Sequence, residues 1–209
     1  IENSRNILIF NRKHINKNLI NKKSKLFQNN EVLVLEKTTD GTACTVLNAK
    51  KIINNKSPLL IANSDQIVDF SCQEFISDCL SRDLDGSILV FRDPQMDPKW
   101  SFIKINHQGL VMEVAEKKPI SNLATVGIYF FKEGSSFVDE AFNMILSKDT
   151  VNNEFYTCPV YNYMIKSGLK IGFYEIPYEN MHGIGTPHDL REFIEKKRYK
   201  PSLDDPKLS

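Results

Sequence analysis

Several features typical of particular protein classes are missing from this 209-residue sequence. The 27 lysines and arginines nearly balance the 26 acidic residues, so no strongly basic surface points to nucleic acid or to a membrane. The four cysteines form no C-x-x-C pair and show no metal-ligand spacing. No apolar run approaches the roughly 20 residues that a membrane-spanning helix needs. We therefore expect a cytoplasmic protein with reduced cysteines that binds neither nucleic acid nor a membrane.

The sequence also lacks an internal repeat and a linker that would divide it. Its length is enough for one domain with a substantial core. We expect a single domain over residues 1–199 and a frayed tail at residues 200–209.

Short apolar runs alternate with amphipathic stretches in the first part of the chain. The runs predict strands at residues 6–10, 31–35 and 59–62, and the stretches predict helices at residues 42–54 and 72–84. This alternation is typical of a parallel sheet with right-handed crossovers.

Closely spaced strands follow in the second part of the chain. They are predicted at residues 86–91, 102–105, 111–114 and 126–131, with a hairpin turn at residues 107–109. A further strand is predicted at residues 170–176, and helices at residues 135–146, 154–167 and 187–197. The predicted fold class is α/β, with a mixed, mostly parallel sheet flanked by helices and an inserted antiparallel lobe.

The most informative strand ends at a carboxylate. The apolar run Leu59-Leu60-Ile61-Ala62 stops at Asn63-Ser64-Asp65-Gln66, which predicts a buried strand that delivers Asp65 to its C-terminal edge. Ligands of open α/β sheets bind at that edge. One aspartate there can hold Mg²⁺ against a phosphate. The alternative is that Asp65 only caps the next helix or turn.

Seven short segments, in this order, resemble one enzyme family. They are Asp40-Gly41-Thr42-Ala43, Asn63-Ser64-Asp65-Gln66, Pro98-Lys99-Trp100-Ser101-Phe102, Glu116-Lys117-Lys118-Pro119, Thr125-Val126-Gly127-Ile128-Tyr129-Phe130, Asn152-Asn153-Glu154-Phe155-Tyr156 and Gly183-Ile184-Gly185-Thr186-Pro187. Together they resemble the sugar-1-phosphate nucleotidyltransferases, or nucleotide-sugar pyrophosphorylases, which have a GT-A-like Rossmann fold. Within that family the chain is most similar to the capsule and lipopolysaccharide branch.

The resemblance implies a nucleotidyltransferase. Such an enzyme transfers a nucleoside monophosphate from a nucleoside triphosphate to a sugar 1-phosphate, or to a similar phosphorylated group, and releases pyrophosphate. Catalysis of this kind depends mainly on positioning and charge neutralisation. The resemblance further implies Mg²⁺ as the cofactor, a role in surface polysaccharide biosynthesis, and possible assembly into a homo-oligomer.

The same resemblance implies roles for individual residues. Asp65 would hold Mg²⁺ near the α-phosphate, and Lys117 or Lys118 would neutralise the sugar phosphate. The residues implied to bind the nucleotide are Asp40, Gly41, Thr42, Asn63 and Ser64, with Gly41 against the base. The residues implied to bind the other substrate are Trp100, Ser101, Glu116, Val126, Gly127, Asn153 and Glu154.

Simpler alternatives exist for several of these residues. The segment Glu116-Lys117-Lys118 is also typical of a solvated charge cluster. Trp100, the only tryptophan, is more often a packing anchor than a ligand platform. Asn152 and Asn153 are residues that favour turns.

The chain departs from the family at two places. No G-x-G-x-R loop occurs in it, although the backbone of that loop cradles the triphosphate in the family. We favour a fragment of a longer product as the reason, while a strand supplied by another chain or a rearrangement, or a degenerate relative, are the other hypotheses. In addition, Gly183 stands where many relatives carry a second aspartate, so the metal would be held by one carboxylate with water and phosphate oxygens.

Two other functions compete with nucleotidyl transfer. One is a non-catalytic module that binds a nucleotide sugar or serves assembly, which the missing loop and Gly183 favour. The other is a GT-A glycosyltransferase, but those enzymes usually show Asp-x-Asp at the strand end, where this chain has Ser64-Asp65-Gln66.

Overall fold

The computed structural model describes residues 4–15 and 30–195, which fall into two compact units. Among the described residues, the first unit contains residues 4–15, 30–38, 64–68 and 182–195. The second unit contains Thr39–Asn63 and Asp69–Met181. The expected single domain over residues 1–199 stays a prediction, and the tail at residues 200–209 lies outside the described residues.

The described elements follow one another as alternating strands and helices. The strands are β1 (Asn6–Asn11), β2 (Asn30–Leu35), β3 (Leu59–Ala62), β4 (Gln66–Val68), β5 (Gly86–Arg92), β6 (Phe102–Ile105), β7 (Val111–Ala115), β8 (Leu123–Phe131), β9 (Ile171–Ile176) and β10 (Met181–Gly183). The α-helices are α1 (Thr42–Leu47), α2 (Lys50–Ile53), α3 (Cys72–Ser81), α4 (Gly134–Leu146), α5 (Val160–Lys166) and α6 (Pro187–Glu195). Two single 3₁₀ turns lie at Arg12–His14 and Tyr178–Asn180.

The first unit contains two small strand pairs. Strands β1 and β2 run parallel, in a register that pairs Asn6 with Asn30 and Asn11 with Leu35. Strand β4 pairs with β10. Helix α6 begins at Pro187, and Thr186 and Asp189 cap its start: the Asp189 N–H donates to Thr186 Oγ1 at 3.1 Å, and the Thr186 N–H donates to the Asp189 carboxylate at 3.3 Å.

The second unit is built around a six-stranded mixed sheet. Strands β3, β5 and β6 each pair antiparallel with β8, and β9 pairs parallel with β5. Strands β3, β5, β6 and β9 therefore share one direction, and β8 runs against them. Strand β7 pairs antiparallel with β6 and completes the antiparallel lobe that the sequence predicts. The predicted mixed α/β fold is confirmed.

Strand β8 is buried along its whole length because helices cover both faces of the sheet. On one face, the Phe131 ring stacks on Tyr161 of α5 with ring centroids 4.7 Å apart, and it meets Phe137 of α4 edge to face. On the other face, the neighbouring Phe130 meets Phe75 of α3 edge to face. Successive side chains of a strand point to opposite faces, so an uninterrupted apolar run is what a doubly covered strand requires.

Two predicted helices differ from the observed ones. The predicted helix at residues 42–54 is two short helices, because the Asn48 side chain donates to the Cys44 carbonyl at 2.8 Å and competes with the backbone ladder there. The predicted helix at residues 154–167 is wrong in its first part, since α5 begins only at Val160. Among the described residues, no helix has the length and apolar character needed to cross a membrane.

Candidate functional site

A carboxylate and a serine face each other where β6 begins and β7 ends. The register of these strands pairs Phe102 with Ala115, which brings the preceding Ser101 opposite the following Glu116. The Ser101 hydroxyl donates to Glu116 Oε2 at 2.5 Å. Burial raises the pKa of Glu116, while this hydrogen bond and the charge of Lys117 partly oppose that effect. The strand register therefore creates a desolvated carboxylate with one oxygen already bound.

The ammonium group of Lys117 is held beside this carboxylate. The Lys117 backbone has a positive φ of 54°, and its N–H donates to the Trp100 carbonyl at 3.1 Å. Its Nζ donates to the Tyr156 hydroxyl at 2.8 Å and lies 4.7 Å from the centroid of that ring. The hydrogen bond that Lys117 donates to the Tyr156 hydroxyl raises the pKa of Lys117, and the charges of Glu116 and Glu154 act in the same direction. The lysine is thus a positive charge held by Tyr156, and Glu116 and Glu154 are close enough to influence its pKa.

The next residue, Lys118, has different surroundings. Its side chain is exposed, and it has no hydrogen-bond or ion-pair partner within the residues that the structure describes. The two lysines of the predicted motif are therefore not equivalent, and only Lys117 has a defined position.

Neutral polar side chains lie behind Glu116. Burial raises the pKa of the Cys158 thiol, and the nearby charge of Glu116 adds to this effect. Burial also holds the pKa of Tyr129 well above its usual value. The Tyr129 hydroxyl lies 3.3 Å from Thr125 Oγ1. Because burial keeps the thiol and the phenol protonated, neither of them adds a second negative charge beside Glu116.

A two-residue turn presents Glu154 and Tyr156. Val151 and Glu154 form a backbone bridge with hydrogen bonds of 2.9 and 3.0 Å, and the two residues between them, Asn152 and Asn153, both have positive φ. This geometry is typical of a type I′ turn, in which asparagine is favoured. The expectation of a turn at these asparagines is confirmed, and the turn is why the predicted helix cannot begin at Glu154.

The segment after this turn is bonded to the predicted nucleotide-binding segment. The Phe155 N–H donates to the Asp40 carbonyl at 2.7 Å, and the Ala43 N–H donates to the Phe155 carbonyl at 2.9 Å. The N–H and hydroxyl of Thr157 both donate to Thr42 Oγ1, at 2.9 and 3.0 Å. A Cβ on Gly41 would lie 2.4 Å from the Phe155 carbonyl oxygen. This contact explains why residue 41 is glycine, and contact of Gly41 with a nucleobase stays a prediction.

Gly127 lies in an irregular part of β8. Strand β5 pairs Ile88 with Tyr129 and Val90 with Thr125, so β8 advances four residues while β5 advances two. Gly127 has φ of 74° within this bulge, and its carbonyl accepts a hydrogen bond from the Asn63 N–H at 3.0 Å. Bulges often re-aim backbone next to functional sites. Val126, the other predicted residue there, is buried in the strand.

Trp100 combines packing with partial exposure. Its ring meets the buried Phe91 edge to face at 5.5 Å, and the Lys99 ammonium lies over it at 4.9 Å from the centroid. Phe91 also contacts the exposed Tyr178, with centroids 5.6 Å apart. The packing interpretation of Trp100 is therefore supported.

In the first unit, Asp65 lies next to the segment Gly183-Ile184-Gly185-Thr186-Pro187. The Ile184 N–H donates to the Asp65 carbonyl at 2.9 Å, and a Cβ on Gly185 would lie 3.3 Å from Asp65 Oδ2. The Asp65 side chain is exposed and has no partner among the described residues. Helix α3 is capped by Ser71, which accepts from the Glu74 N–H, so Asp65 does not cap it.

The donors around Asp65 can be compared with those of a metal centre. In the described part of the chain, no three histidine, cysteine, aspartate or glutamate side chains come together in a way that could hold a metal ion. A single free carboxylate fits Mg²⁺ bound mainly through phosphate and water, which is the usual arrangement in nucleotide-binding enzymes.

Comparison with known proteins decides the family. A sequence profile described as "Nucleotidyl transferase" matches residues 2–168. The chain belongs to the nucleotidyl transferase family. Comparison with curated proteins gives no match. Among solved structures, this nucleotidyl transferase is similar to the nucleoside-diphosphate-sugar pyrophosphorylase of Vibrio cholerae RC9, at 23% identity and a TM-score of 0.77, over 92% of this chain and 81% of that one.

A second solved structure has the same fold. It is a Bacillus anthracis protein assigned as a glucose-1-phosphate thymidylyltransferase, in complex with a sucrose, at 15% identity and a TM-score of 0.72. The alignment covers 93% of this chain and 76% of that one. The enzyme class and the Rossmann-like fold expected from the sequence are therefore confirmed.

The second unit of this nucleotidyl transferase brings together only some of the predicted site residues. Ser101, Glu116, Lys117 and Glu154 form one charged cluster, which also contains Tyr156. The predicted residues of the segment 40–42 are bonded to the neighbouring segment 155–157. Sequence reasoning did not single out Tyr156 or Cys158 as site residues. Tyr156 lies in one of the segments that resemble the family, but its contact with Lys117 joins residues distant in sequence, and Cys158 interacts with Glu116 in the same way. The predicted roles of all the individual site residues, inside this cluster and outside it, stay predictions.

Proposed function

We propose that this nucleotidyl transferase transfers a nucleoside monophosphate from a nucleoside triphosphate to a sugar 1-phosphate, or to a similar phosphorylated group, and releases pyrophosphate. The proposal includes a place in the cytoplasm and a role in capsule or lipopolysaccharide biosynthesis, which rests on the resemblance of the ordered sequence segments. Assembly into a homo-oligomer stays a prediction.

The observation that carries the proposal is the cluster of one fixed ammonium and two carboxylates. Lys117 offers a positive charge that is held in place by Tyr156 at 2.8 Å, as neutralisation of a phosphate requires. Glu116 and Glu154 offer acceptor oxygens of the kind that bind sugar hydroxyls. A phosphate and several hydroxyls on one small molecule are the features of a sugar phosphate.

The reaction would need little covalent chemistry from the protein. A phosphate oxygen of the acceptor attacks the α-phosphorus of the nucleoside triphosphate, a new P–O bond forms, and the bond to the departing pyrophosphate breaks. The role of Lys117 is to lower the charge repulsion between the two phosphate groups and to align the acceptor.

Asp65 is the residue that would hold Mg²⁺. Its exposed carboxylate, without a partner among the described residues, supplies the hard oxygen donor that Mg²⁺ prefers. The missing side chain of Gly185 leaves room beside Asp65 Oδ2. When bound, the cation would neutralise developing charge on the phosphates.

The test is pyrophosphate release by the full-length protein, measured with Mg²⁺, each common nucleoside triphosphate and a panel of sugar 1-phosphates. We expect release with one base and a narrow group of acceptors, and loss of that activity in Lys117→Ala. No release with any pair would contradict the proposal.

A second candidate function is binding of a nucleotide sugar without turnover. The glycine at position 183, where many relatives carry a second aspartate, favours it. A ligand at about 100 times its dissociation constant should stabilise the fold by about 2.7 kcal/mol. A thermal shift with a nucleotide sugar, in a protein that releases no pyrophosphate, would support this second function.

A further inference from the structure

The phenol of Tyr156 is the group that fixes Lys117. Its hydroxyl accepts a hydrogen bond from Lys117 Nζ at 2.8 Å, and its ring lies under the same ammonium at 4.7 Å. A free lysine side chain has up to about 2 kcal/mol of rotamer entropy to lose on being ordered. Lys118 has no partner among the described residues. The ordered Lys117 and the unpartnered Lys118 are therefore adjacent in the sequence.

Tyr156 is itself held by the backbone on both sides. Phe155 is bonded in both directions, to the Asp40 carbonyl at 2.7 Å and to the Ala43 N–H at 2.9 Å. Thr157 is bonded through two atoms to the Thr42 hydroxyl. These bonds fix the phenol more firmly than the exposed lysine could be fixed alone, so the tyrosine sets the position of the ammonium.

The carboxylates around Lys117 show why a neutral partner matters. Glu116 and Glu154 both attract the ammonium electrostatically, and the Tyr156 hydroxyl bonds to the ammonium while it also interacts with Glu154. An ammonium without the phenol would form an ion pair with one of these carboxylates. That ion pair would remove both the free positive charge and an acceptor oxygen from the site.

We propose that Tyr156 is a positioning residue, whose hydroxyl holds the Lys117 ammonium in place to receive the phosphate of the acceptor substrate. This inference rests on the proposed function, because it assumes that Lys117 binds that phosphate. It also connects the two predicted substrate segments, since the turn that carries Tyr156 is bonded to the segment 40–43.

The kinetic test uses Tyr156→Phe, which removes the hydroxyl and keeps the ring. We expect KM for the sugar 1-phosphate to rise about tenfold, as loss of one charge-assisted hydrogen bond predicts, while KM for the nucleoside triphosphate stays within about twofold. Tyr174→Phe is the matched control, because the Tyr174 hydroxyl lies 3.3 Å from the Glu74 carboxylate and contacts no lysine in the described residues. It should leave both KM values unchanged.

A double substitution separates positioning from general structural damage. In a Lys117→Met protein, Tyr156→Phe should cause no further rise in KM for the acceptor, because the group that it positions is gone. An equal rise in the presence and absence of Lys117 would overturn the inference.

A spectroscopic test does not depend on activity. Nitrogen-15 lysine spectra of the full-length protein, recorded against pH, should show the Lys117 ammonium titrating above the usual lysine range, as the Asp83-bound Lys132 ammonium also should. Tyr156→Phe should move the Lys117 titration, and not that of Lys132, to lower pH, because the hydrogen bond that Lys117 donates to the Tyr156 hydroxyl is the largest factor raising the pKa of Lys117. An unmoved titration would overturn the positioning role. If the wild-type protein shows the shift but releases no pyrophosphate, the contact is real and the proposed function is what fails.

Discussion

Asp65 and Glu116 are two carboxylates that follow strands of the same chain and have opposite surroundings. Asp65 is exposed, and its side chain has no partner among the described residues. Glu116 is largely withdrawn from water, accepts a hydrogen bond from Ser101 at 2.5 Å and lies beside the fixed charge of Lys117. The folded protein thus supplies hydrogen-bonding and charged partners to Glu116, whereas the Asp65 side chain has none among the described residues.

This difference separates two ways of building a polar site. When substrate binds to a group that is already hydrogen-bonded and desolvated, little further reorganisation energy is needed. This is the basis of electrostatic preorganisation. An open carboxylate acquires its partner only with a cation and its phosphate ligands. We therefore expect substitutions at Asp65 to affect chemistry alone, and substitutions around Glu116 to affect both chemistry and stability.

Replacing Asp65 by alanine should lower pyrophosphate release by about 10³-fold, because removal of a charge-stabilising ligand has effects of this order. The melting temperature should be unchanged, since no described residue loses a contact. The substitution Asp65→Asn keeps the shape of the side chain and one oxygen. Pyrophosphate release by this variant should also fall strongly, and its activity should require a higher Mg²⁺ concentration. A large drop in melting temperature would contradict the view that Asp65 is structurally free.

Replacing Gly41 by alanine should lower the free energy of unfolding by about 2 to 4 kcal/mol. The new Cβ would lie 2.4 to 2.8 Å from backbone atoms of Phe155, at a residue with φ of 115°. Gly168→Ala is the matched control, because its φ is 86° but no atom lies within 4 Å of its Cβ position. The control should cost about 1 kcal/mol. If chemical denaturation shows the same loss in free energy of unfolding for Gly41→Ala and Gly168→Ala, the contact with Phe155 contributes nothing.

Local patterns were enough to predict most elements of the fold. The strand at Phe102–Ile105 has the predicted bounds, and the predicted hairpin turn closes with a hydrogen bond of 2.9 Å from the Asn106 N–H to the Leu110 carbonyl. Both features depend on residues close in sequence. The error at residues 154–167 also came from a local pattern. The helical pattern extends back to residue 154, but the turn at Asn152 and Asn153 holds Glu154 in a backbone bridge with Val151, and the helix begins only at Val160.

Contacts between distant residues could not be predicted in this way. The pairing of β4 with β10 joins strands of three residues each, which are too short for a periodic signal. The Lys117–Tyr156 bond spans 39 residues, and nothing near either residue indicates it. The resemblance to a family identified Glu116 and Lys117, but it did not say what holds them.

Replacing Lys117 and Lys118 separately should distinguish the two lysines of the motif. We expect Lys117→Ala to raise KM for the sugar 1-phosphate about 30-fold, and Lys118→Ala to raise it no more than about threefold, since an exposed charge without a fixed position contributes little. Steady-state kinetics with the preferred acceptor checks both values. Equal effects would mean that the position given to Lys117 by Tyr156 has no consequence for binding.

The smallest expected effect is a slope of stability with pH. Burial raises the pKa of Glu116, so the folded state binds its proton more tightly than the unfolded state. The contribution of Glu116 to the free energy of unfolding should therefore fall as the pH rises from the usual glutamate value of about 4.3 through the higher folded pKa. Glu116→Gln should remove this slope in denaturation curves recorded from pH 4 upwards. Glu113→Gln makes the same change of charge at an exposed position of β7 and should keep the slope. A slope that survives in Glu116→Gln would mean that another group causes it, and the contrast between the desolvated Glu116 and the open Asp65 would be lost.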